Sequence, residues 1–238
     1  KRSRGEKRME LIFDGTALQA VDLLSASLHG MLTSGATPWF HLAMKDPDIG
    51  RDDMVQRWLE DSSKRMIRAF NQSNFETEVH ELYVDLVVFG TGCMFVEMDG
   101  ENLRFSTRHI SEFYVAEDQF GLVDTVFRKY KIPARQAVQR FGLENVGKFI
   151  QRTFEKKPDE EVTLLHAVMP RDDRDTTKRD NKNMPFASVY ICMETKMPVA
   201  ISGFQEFPYI VPRFLKATGE VMGRSPAMVA LPDVKMIN

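Results

Sequence analysis

The sequence holds few of the residues on which compact chemical sites depend. Two cysteines, Cys93 and Cys192, in 238 residues cannot build a disulfide framework, and no C-x-x-C is present to hold zinc or cycle a dithiol. A reducing compartment is the expectation. The five histidines include no pair at ligand spacing: His80-Glu81 would need a histidine at position 84, which is Val84. No apolar run approaches the ~18–20 residues that span a bilayer, and the basic N-terminus leads into an amphipathic stretch where a signal peptide would have a continuous apolar one. Neither a secreted nor a membrane-spanning protein is expected. Thirty-two basic against 34 acidic residues give a net charge of −2, without the basic excess of dedicated duplex readers. Nucleic-acid contact would be local.

What is present describes an ordinary folded chain, 43% hydrophobic and 28% charged. Met9, Phe13, Ala17, Ala20, Leu24, Leu28 and Met31 recur at helical steps and predict one helix from Glu6 to Leu32, ended by Thr33–Pro38. Trp39, Phe40 and Leu42 read as a short extended piece. Asp52 or Asp53 would cap a second helix carrying Val55, Trp58, Leu59, Met66, Ile67 and Phe70. Ser73 with Glu76 reads as the capping box of a third, closed by Gly90.

Two-residue periodicity then takes over. Cys93–Met98 and Leu103–Phe105 flank Asp99-Gly100, a hairpin signal of type I′. Phe113–Ala116 and Leu122–Tyr130 flank a second turn, and the two hairpins together suggest one antiparallel sheet. A helical pair is expected over Pro133–Phe141 and Glu144–Phe154, then a strand at Val162–Met169, a charged loop at 171–183, and a hairpin of Phe186–Met193 with Val199–Phe204. Ser225-Pro226 opens a helix that Pro232 would bend or restart. The fold class is α+β, divided into a helical N-terminal region (residues 1–92), a hairpin sheet (93–130), a helical pair (131–160), a second β region (161–214) and the start of a further helix (215–238). A first residue that is Lys and a helical pattern running to the end lead us to expect a piece of a longer chain.

No constellation predicts catalysis. Gly90-Thr91-Gly92 follows a helix and precedes a strand, the reverse of a phosphate-binding loop, and reads as a helix cap and tight turn. A nucleophile pairing of Cys93 or Cys192 with His29, His41, His109 or His166 is opposed by the apolar strand context of both cysteines. The acids Glu117-Asp118 and Asp159-Glu160-Glu161 read as solvated turns, and Asn71-Gln72-Ser73, a sequon, as a cap region. Five of the first eight residues are Lys or Arg, a frayed basic start able to touch phosphate. We expect no catalytic, cofactor or metal residues and assign none to nucleic-acid contact. Alternatives are a soluble enzyme with an undetected Cys/His or carboxylate site, or a scaffold or adaptor domain.

A collinear series of phrases carries more information. Gly5-Glu6-Lys7-Arg8-Met9-Glu10-Leu11-Ile12-Phe13-Asp14, Trp58-Leu59-Glu60, Ser73-Asn74-Phe75, Asp85-Leu86-Val87 and Phe89-Gly90-Thr91-Gly92 resemble the head-to-tail connector, or portal, family of short-tailed bacteriophages. The series continues through Val123-Asp124-Thr125-Val126, Pro208-Tyr209, Gly223-Arg224-Ser225-Pro226 and Leu231-Pro232-Asp233-Val234-Lys235. Ile132-Pro133 departs from it, standing where a Ser or Thr cap is expected. The resemblance implies a non-enzymatic subunit of a ring of twelve, assembled in the host cytoplasm and placed in the virion at one capsid vertex. Its partners would be further copies of itself, the capsid protein, the packaging terminase, tail or adaptor proteins, and double-stranded DNA passing without sequence preference. It implies no cofactor and no membrane. The residues present would form the outer wing, with 215–238 starting a helix directed to the channel.

Overall fold

The computed structural model describes residues 13–237 apart from Arg179. The chain divides into two compact units, 1–107 with 210–238, and 108–209.

In the first unit, α1 (Thr16–Leu32), α2 (Asp53–Gln72) and α3 (Phe75–Phe89) precede the hairpin of β1 (Met94–Asp99) and β2 (Asn102–Thr107), and α6 (Pro226–Ile237) closes the chain. The expected helix Glu6–Leu32 is shorter among the described residues. Phe13, Asp14 and Gly15 lie outside it, because Asp14 accepts the Thr16 N–H and glycine favours a turn over a helical interior. Its stretch 6–12, and the basic start at 1–8, lie outside the described residues. Trp39, Phe40 and Leu42 belong to no sheet. Trp39 instead stacks on Phe75, ring centroids 5.7 Å apart.

Asp52 caps α2, accepting from the Met54 and Val55 amides. Of the predicted α2 stripe only Leu59 is fully buried, and Trp58 and Met66 are exposed. The Ser73/Glu76 capping box does not form. Ser73 Oγ accepts the Phe75 N–H, but Glu76 turns to His29 Nε2, 2.9 Å away on α1. Asn74 sends its amide to β2, donating to the Phe105 carbonyl (2.8 Å) and accepting the Phe105 N–H (2.9 Å), as a neighbouring strand would. Glu78 adds to this closure, its backbone carbonyl accepting the Thr107 hydroxyl.

The α3 stripe Phe75, Val79, Leu82, Tyr83 and Leu86 packs on Met94 and Phe105 to form this unit's core. The hairpin turn is shifted by one residue from its expected place. Asp99 pairs with Asn102, so Gly100 and Glu101 form the loop. Only Gly100 has positive φ (+65°), the pattern of a type II′ turn.

In the second unit, β3 (Phe113–Glu117), β4 (Val123–Pro133), β5 (Glu161–Pro170), β6 (Phe186–Cys192) and β7 (Met197–Phe204) form an antiparallel sheet in that order. The two early hairpins therefore lie in different sheets: β1 and β2 join the two-residue β8 (Tyr209–Ile210) in a three-stranded one. Alternation along a strand fixes which face is buried but not which sheet it enters. On one face of the larger sheet lie α4 (Ala134–Phe141) and α5 (Gly147–Lys156), whose Ala134, Ala137 and Ile150 pack on Tyr130, Leu164 and Tyr190. Pro133 ends β4 and caps α4, and α5 starts at Gly147, because Gly142 leaves α4 with φ +82° and residues 143–145 form a turn. The tight β6–β7 connection forces Lys196 to φ +58°.

Candidate subunit interface

Geometry gathers the residues considered for chemistry into structural roles. Cys93 and Cys192 are both buried, and the Cys192 thiol donates to Glu194. Among the described residues no group of three or more His, Cys, Asp or Glu is placed to hold a metal ion. His166, on β5, stacks flat on Tyr190 with centroids 4.0 Å apart. Its Nδ1 lies 3.0 Å from the Tyr209 hydroxyl and its Nε2 2.9 Å from Ser188 Oγ. Burial, followed by the charges of Arg140, Arg128 and Arg108, pushes its pKa down to about 3, so the ring is neutral at physiological pH. Its even-numbered register with the buried Leu164 and Val168 was the signal that could have marked it as a core residue.

Gly90-Thr91-Gly92 forms the joint between α3 and α6. Gly90 ends α3 in the left-handed region at φ +76°, and a Cβ there would stand 2.5 Å from the Gly223 carbonyl oxygen. A Cβ on Gly223 would stand about as close to the Gly90 oxygen. Thr91 is fully buried and accepts the Gly223 N–H at 2.7 Å. Ser225 Oγ donates to the Val88 carbonyl and accepts the Met228 N–H, so one hydroxyl serves the last turn of α3 and the first of α6. The helix then runs through Pro232 without interruption.

Held this way, α1 and α6 flank a groove of about 250 Å³ with Val87 among its lining residues. Both helices are covered only where they meet α3: among the described residues the only buried one of α1 is Ser25, and α6 has none. Leu23 (72% exposed), Met31 (83%), Val229 (78%) and Met236 (81%) face solvent. At roughly 100–150 Å² each, the nine exposed large apolar side chains on these two helices amount to roughly 900–1,350 Å². The largest apolar patch on a typical monomer is ~300–600 Å², while one partner in a standard interface contributes ~800 Å². An apolar helix face belongs against a core or a partner.

Sequence comparison identifies the family. The family described as "Bacteriophage head to tail connecting protein" matches residues 1–238. The chain belongs to that family. Two curated connector relatives are the "Probable portal protein" of Bordetella phage BPP-1, 35% identical over 241 residues, and the "Portal protein" of Salmonella phage epsilon15, 37% identical over 240. Each comparison takes in 99% of this chain and 43% of the relative, so the chain spans less than half the length of the portal proteins it matches. As the periodicity of the sequence predicts, the chain is an α+β assembly of helices and antiparallel sheets. No helix among its described residues is long and apolar enough to cross a membrane.

Proposed function

We propose that this chain is the outer, wing-forming portion of a portal subunit, a structural component with no catalytic step, twelve copies of which close into a ring at one vertex of the phage capsid. The observation that carries the reading is the family match over residues 1–238. The uncovered apolar surface of α1 and α6 supports it, since a ring subunit must bury such a surface against a neighbour. The ring serves as the conduit through which viral DNA is packaged and later ejected. It contacts the capsid protein, the packaging terminase and the tail or adaptor proteins, and it assembles in the host cytoplasm before entering the virion. α6 leads toward the channel.

A conduit must let DNA slide, and a net charge of −2 supports weak, sequence-independent contact. Native mass spectrometry of the full-length protein tests the ring. Twelve-subunit particles are expected, and only monomer or dimer at micromolar concentration refutes the reading. In a competition assay with the assembled protein, no duplex should outcompete random DNA, and binding should fall steeply from low to physiological salt. A tenfold preference for one sequence contradicts the conduit.

A further inference from the structure

We draw no further inference here: the strongest candidate, the open apolar groove of about 560 Å³ between residues 38–51 and α2 with Phe40, Leu42, Leu59 and Ile67 on its walls, is an unpartnered face, and nothing in the structure shows what covers it.

Discussion

Acidification should weaken the second unit through His166. The ring is enclosed by Tyr190, Tyr209 and Ser188, and its pKa lies near 3 against the ordinary 6.5. Between those values the unfolded chain holds a proton that the native state refuses, so stability falls as pH drops through 6.5 and rises as pH increases. Each pH unit inside the window is worth about 1.4 kcal/mol, which makes the loss from pH 7 to pH 5 about 2 kcal/mol. Urea denaturation followed by circular dichroism at both pH values, for the parent and for His166→Gln, isolates the effect. The variant starts less stable, because glutamine cannot stack on Tyr190 as imidazole does, but it should lose about 2 kcal/mol less on acidification. Equal losses in the two proteins, or an imidazole that titrates near 6.5 by NMR in the folded state, would refute the reasoning.

Three further outcomes concern the backbone. Gly100→Val should cost about 1 kcal/mol or more, since a β-branched residue is forced to φ +65° although the space around it is open; an unchanged melting temperature contradicts the turn. Lys196→Gly should raise stability by about 0.5–1 kcal/mol, because the left-handed strain at φ +58° outweighs the extra freedom glycine gives the unfolded chain, and a lower melting temperature would count against that balance. Gly223→Ala should cost about 3 kcal/mol through collision with the Gly90 carbonyl, while Gly219→Ala, which meets nothing within 4 Å, should cost only about 1 from its φ of +81°; similar losses at the two sites would show that the joint yields.

Local chemistry made much of the fold readable in advance. Asp52 caps α2, Gly90 ends α3 and Ser225-Pro226 opens α6 because each signal acts within a few residues. The errors arise where a residue has a distant competitor. Glu76 has the spacing of a capping box, but His29, 47 residues earlier, takes its carboxylate. Trp58 and Met66 fit the α2 stripe by period, yet none of the described residues of this unit covers them, since periodicity reports a face and not the presence of a neighbour. The hairpin turn slipped by one residue because Asp-Gly and Gly-Glu both supply a glycine for positive φ, and only pairing across the strands decides between them. Of the candidate interface, the apolar α1 stripe was visible. The hydrogen bond that joins Ser225 to Val88 was not, because 137 residues separate them and no periodicity spans that distance.

The side-chain amide of Asn74 bears on how such a subunit avoids polymerising out of control. A strand with its N–H and C=O groups free accepts any other strand, and sheets joined edge to edge have no built-in stopping point. Here the Phe105 groups are already satisfied from within the chain, with Thr107 held next to them by Glu78. β2 therefore offers a newcomer little to zip onto, and association at this edge must go through side-chain surfaces, whose fixed angles allow a finite count of members. One asparagine thus favours an assembly that ends over a fibre that does not.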